Sequence, residues 1–124
     1  MNARPLIEIE AIFLANEEGG KSQLPDFKGP GRYMPHLVVQ PRDVRVARTE
    51  GNTLMEDYLG VGFVNGLYCL KAGQAAQFTV ELMYFPLVDY GSLTEGATFT
   101  IREGPKIIGH GTVIRGPHVG KKIS

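Results

Sequence analysis

Residues 98–114 read Thr98-Phe99-Thr100-Ile101-Arg102-Glu103-Gly104-Pro105-Lys106-Ile107-Ile108-Gly109-His110-Gly111-Thr112-Val113-Ile114. Phe99 and Ile101 recur at a spacing of two, the period of a strand with one buried face. Glu103-Gly104 supplies a turn, and Ile107, Ile108, Val113 and Ile114 return as a second strand. Gly109 and Gly111 interrupt that strand. Glycine inside a strand marks a bulge or a sharp bend, of the kind that a small barrel needs.

The same period extends outward in both directions. Phe78, Val80, Leu82 and Tyr84 alternate with Gln77, Thr79, Glu81 and Met83, and Pro86 ends the run. Val61 and Phe63 lead to Asn65-Gly66, a hairpin-turn pair, with Leu67 to Leu70 returning and Ala72-Gly73 turning again. Leu37 to Val39 form a short strand stopped by Pro41, and residues 44–48 form another with arginines on its outer face. Ile7, Ile9, Ala11 and Phe13 mark the first strand. Residues 21–32 read as a loop, and 49–57 as a turn of helix or a loop. Short strands with turns about every ten residues predict an all-β fold, a sandwich or a closed barrel, in a single domain over residues 1–115. Residues 116–124, rich in Gly, Pro and Lys, are too polar and broken to extend a strand, and are expected to form a basic flexible tail.

The 124 residues balance 13 Lys+Arg against 13 Asp+Glu, which excludes a uniformly basic nucleic-acid coat. The placement is uneven. Residues 49–100 carry one basic and six acidic residues, whereas 101–124 carry five and one. The single cysteine, Cys69, excludes an internal disulfide and a cysteine-cluster metal site. No apolar run is long enough for a membrane helix and the start lacks a signal-peptide core, so a cytoplasmic protein without membrane attachment is expected. No phosphate-loop spacing occurs, and Gly60-Val61-Gly62 lacks the third glycine and following helix of a dinucleotide fingerprint. His36, His110 and His118 have no metal-ligand spacing, and the carboxylates are scattered. These features predict no enzyme activity, no cofactor, no metal and no nucleotide binding.

Two stretches carry more than pattern. Phe13-Leu14-Ala15-Asn16-Glu17-Glu18-Gly19-Gly20-Lys21 with Pro25-Asp26-Phe27-Lys28-Gly29 resembles the opening of the third domain of elongation factor Tu, a strand, an EEGGR-like turn and then P-F-F-K-G. Residues 98–104 with 108–114 resemble its ending, built on I-R-E-G and G-x-G. Ala72-Gly73-Gln74 to Leu82 is similar to the family's P-G-D turn and long strand, and Asp43-Val44 falls at its D-V pair. The resemblance covers most of residues 5–115 in order. It implies a small closed antiparallel barrel of about six main strands, with an insertion near 49–70.

The resemblance also implies candidate sites. In the family this domain lies against the T stem of aminoacyl-tRNA and packs on a GTPase domain and a second domain. Glu103 matches the glutamate of the R-E-G turn that meets the T stem. His36 falls at the glutamine of P-Q-F, and Arg45 at a threonine that also touches RNA. With Lys21 and Arg32 these form a candidate RNA site. Glu18, Gly19, Gly20, Pro25, Phe27 and Lys28 lie in turns that the family uses between domains, and form a candidate partner interface. Two functions follow. One is a protein-interaction barrel that binds a translation factor, or a regulator or toxin that targets one. The alternative is a barrel that binds tRNA or a T-stem-like duplex. Exposed apolar surface around Phe27, Tyr33 and Met34 would favour the first, and a stripe joining Arg45, Lys106 and Lys121 the second.

Overall fold

Alternation builds the first strand. In β1 (Pro5–Phe13), Ile7, Ile9, Ala11 and Phe13 are buried, while Glu8, Glu10 and Ile12 are only partly covered on the opposite face. The computed structural model describes residues 4–15, 33–45, 49–50, 53–54, 57–64 and 71–119. The remaining strands are β2 (His36–Val39), β3 (Thr49–Glu50), β4 (Thr53–Leu54), β5 (Leu59–Phe63), β6 (Ala76–Leu82), β7 (Thr98–Glu103) and β8 (Lys106–Val119). Six of them close into an antiparallel barrel in the order β1-β6-β5-β2-β7-β8, with β8 returning to β1. Closure leaves no open edge in the ring, which removes a route to aggregation.

The interior is apolar. Ile7, Ile9, Leu37, Val61, Val80, Leu82, Phe99, Ile101 and Ile108 are inaccessible to solvent. Each such side chain contributes roughly 1.5–3 kcal/mol on burial. Aromatic rings fill one region. Phe13 meets Phe78 edge-on with centroids 6.1 Å apart, and Phe63 meets Phe78 at 5.1 Å. Tyr33 packs on Phe63 at 5.5 Å.

The glycines of β8 admit a close approach of its neighbours. A Cβ on Gly109 would lie 2.7 Å from the Ile12 carbonyl oxygen, and one on Gly111 would collide with the Glu10 carbonyl oxygen and the Phe99 ring. The sequence reads these glycines as a bulge or bend. Against β1 their pairs run on without a shift, Phe13 with Gly109 and Ala11 with Gly111, while against β7 the register shifts beside Gly109, between the Ile101–Gly109 and Arg102–Ile107 pairs.

Three expectations are corrected. β8 does not stop at Arg115 but continues to Val119, pairing His118 with Leu6 and Val119 with Pro5. Gly116 and Pro117 sit where the register shifts between the Leu6 and Glu8 pairs. A bulge is where proline's missing N–H is tolerated, so the strand passes through them. Residues 120–124, including Lys121, lie outside the described residues. Val44 and Arg45 form no strand, because the Val44 N–H donates to the Pro41 carbonyl (3.3 Å) and closes a turn over Arg42-Asp43. The stretch expected as helix turn or loop holds a short hairpin, Thr49 opposite Leu54 and Glu50 opposite Thr53. The hairpin expected at 65–70, the loop at 21–32 and residues 46–48 lie outside the described residues.

Candidate functional site

β1 sets the two ends of the barrel. Leu6 pairs with Glu81, near the end of β6, and Pro5 with Val119, at the end of β8, so Leu82 and Val119 share the first end. Phe13 pairs with Gly109 and Ala11 with Ala76 toward the second end, where the Glu103–Lys106 turn also lies. A long loop, residues 83–97, leaves β6 at the first end.

That loop carries apolar side chains to solvent. Leu87 is 92% exposed, Tyr84 53% and Phe85 48%. A single exposed apolar side chain is ordinary, but three within four residues make a patch. The sequence extends the strand to Tyr84. The strand instead ends at Leu82, where the Phe85 N–H donates to the Leu82 carbonyl (3.3 Å) and turns the chain. The signal was present in Tyr84-Phe85-Pro86-Leu87-Val88, an apolar run without alternation and broken by proline.

The crest formed by residues 84–87 rests on a fixed base. The buried Tyr90 hydroxyl donates to the Gly60 carbonyl (2.6 Å) and accepts the Tyr84 N–H (3.0 Å). Burial, ahead of smaller effects from Tyr84, pushes that hydroxyl above its ordinary pKa. The Val88 N–H donates to the Tyr84 carbonyl (3.0 Å), and Leu93 inserts into the core. The Tyr84 ring lies over Gly60, where a Cβ would have 2.7 Å or less to it. Glycine at this position therefore lets the crest pack flat on β5.

The outer face of β2 and β7 is more polar. Arg102 is fully buried there. Its guanidinium donates to the Tyr58 hydroxyl (2.7 Å), Gln40 Oε1 (2.7 Å) and Thr100 Oγ1 (3.0 Å), and lies 5.4 Å from the Tyr58 ring centroid. His36 pairs with Arg102 across the strands and contacts the Tyr58 ring at 5.8 Å. A separate cluster spans β1 and β8. Arg42 donates to Glu10 (3.0 Å), Thr112 (2.8 Å) and His110 Nδ1 (3.0 Å).

The structure brings together only some of the residues expected to bind RNA. Glu103 accepts the Tyr33 hydroxyl at 2.6 Å. Burial first, then that bond and the Glu103 charge, raise the Tyr33 pKa far above its usual value. His36 is one register position away, opposite Arg102. Arg45 is not with them. It follows the far end of β2, and its guanidinium donates to the Arg42 and Val44 carbonyls. Gln40, five residues before it, donates its N–H to the Thr98 carbonyl at the start of β7, whereas Lys106 pairs with Glu103 at the end. Arg45 and Lys106 thus stand at opposite ends of β7 and do not adjoin in a stripe. Lys21 and Arg32 lie outside the described residues, as do Glu18, Gly19, Gly20, Pro25, Phe27 and Lys28. Of the apolar trio, Tyr33 packs on the core and Met34 is 56% exposed. Among the described residues no group of three or more His, Cys, Asp or Glu could hold a metal ion. Among the described residues no helix is long and apolar enough to cross a membrane. In comparison with known proteins, no family model and no curated sequence matches the chain.

Proposed function

We propose that the chain is a non-catalytic protein-interaction barrel of the elongation factor Tu third-domain kind, working beside translation factors in the cytoplasm. One observation carries the docking reading: Tyr84, Phe85 and Leu87 stand exposed on a loop that Tyr90 pins to the barrel. A rigid apolar crest gives a partner a contact surface with little ordering cost. The link to translation rests on the resemblance of residues 5–115. The crest lies at the opposite end from Glu103, so it is a surface additional to the one that the family turns toward the T stem.

Anisotropy titrations of the labelled full chain test the reading. One uses an elongation factor Tu that lacks its own third domain, and the other a T-stem duplex. Saturable binding to the protein, weakened about tenfold or more by Phe85→Ser with Leu87→Ser, is the expected result. RNA binding that falls steeply with salt and ignores the crest substitutions would replace this reading with the RNA one. Binding of neither removes the link to translation.

A further inference from the structure

Two cavities share a wall beside the crest. The first, about 350 Å³, is lined chiefly by Leu82, Phe85, Pro86, Tyr90 and Pro117. The second, about 480 Å³, is lined by Asp57, Tyr58, Leu59 and Ser92. Val88 and Asp89 line both. The first cavity is therefore mainly apolar, and the second has two aspartates in its lining.

The wall between them is held in place. Tyr90 bonds Gly60 and Tyr84, the Val88 N–H bonds the Tyr84 carbonyl, and Asp89 Oδ1 accepts the Gly91 N–H at 2.8 Å. Asp57 and Asp89 are both exposed, and neither forms an ion pair with a described residue. The chain around them is acidic as well, since residues 49–100 contain one lysine and six acidic residues, and the nearby Arg102 guanidinium is buried and bonded to Tyr58, Gln40 and Thr100. An apolar seat beside two exposed aspartates that form no ion pair with a described residue complements an apolar side chain beside a cation. In an extended peptide, side chains two residues apart share a face and stand roughly 7 Å from each other. Val88 and Asp89, the two residues common to both cavities, are what such a peptide would straddle.

We propose that these paired cavities bind an extended, basic segment of a partner protein. An aliphatic or aromatic side chain enters the Phe85–Pro117 cavity, and a Lys or Arg two positions away meets Asp57 and Asp89. The proposal deepens the docking reading above and rests on it. It adds the partner's chemistry: a linear segment with an apolar residue spaced by one from a cation.

Selection from a displayed library of random linear peptides on the full chain tests it. The enriched peptides should share an apolar residue two positions from Lys or Arg. Amide shifts induced by one synthetic enriched peptide should fall on residues 57–59 and 85–92. Asp57→Asn with Asp89→Asn should weaken that peptide about tenfold and remove the basic preference from a repeated selection. Asn at position 89 keeps an oxygen for the Gly91 N–H, so the loop geometry is preserved, and an unchanged melting curve checks this. Enriched peptides without a basic residue, or binding indifferent to the paired Asn substitutions, would overturn the proposal. If such peptides still lose binding with Leu87→Ser, the docking reading survives without this one. No enrichment, together with no crest-dependent binding in the titrations above, sinks both.

Discussion

Single residues carry sharply different loads. Gly111 has no room for even one carbon, because the Glu10 carbonyl and the Phe99 ring occupy the space. Gly111→Ala is therefore expected to cost about 2–4 kcal/mol, read as a lowered denaturant midpoint. An effect within experimental error would mean that β1 and β8 separate easily. Arg102 works through geometry as well as charge. Arg102→Met would remove the donor that joins Tyr58, Gln40 and Thr100, leaving the last two with their mutual bond, and destabilise by about 2–4 kcal/mol. Tyr33 makes a pH prediction. Its hydroxyl is held above the ordinary value of 10.0, chiefly by burial and then by Glu103. The unfolded chain releases that proton above about pH 10 while the folded chain keeps it. The contribution is complete below that pH and is lost as pH rises further, by up to about 1.4 kcal/mol per unit. Denaturant titrations across the alkaline range should show this decline, and Tyr33→Phe should flatten it.

At the scale of elements, local period explains what was legible. β1 and β6 follow from Ile7 to Phe13 and from Phe78 to Leu82, since alternation is a property of neighbours in sequence. The extension of β8 was not legible. Gly116 and Pro117 argue against a strand until Pro5 and Leu6, at the other end of the chain, are seen to pair beside them. Removing residues 116–124 should therefore lower stability by about 1–2 kcal/mol as the Pro5–Leu6 segment loses its β8 partners. An unchanged melting curve would make those pairs peripheral. The candidate site divides in the same way. The resemblance matched Glu103 and His36 separately to positions that meet the T stem, and only the strand pairing of His36 with Arg102 sets them one register position apart. The apolar run of the crest was in the sequence, but its anchoring was hidden, because Tyr90 reaches Gly60 on β5 and Tyr84 just beyond β6, partners that no local pattern specifies. Tyr90→Phe should release the crest, cost about 1–3 kcal/mol and make residues 83–91 the first point of limited proteolysis.

At the scale of the whole molecule, one core joins every strand of the ring, from Ile7 in β1 to Val113 in β8. Unfolding should accordingly appear as a single transition, with fluorescence and circular dichroism coinciding. β1 is held between β6 and β8, so the earliest strand to be synthesised waits for the latest. While a ribosome is still making the chain, Pro5 to Phe13 has one bare flank until residues 106–119 emerge. Such distant pairing makes folding slow and the unfinished chain prone to wrong partners. Glu8 and Glu10, lying along that flank, place charge where a stray strand would otherwise add on.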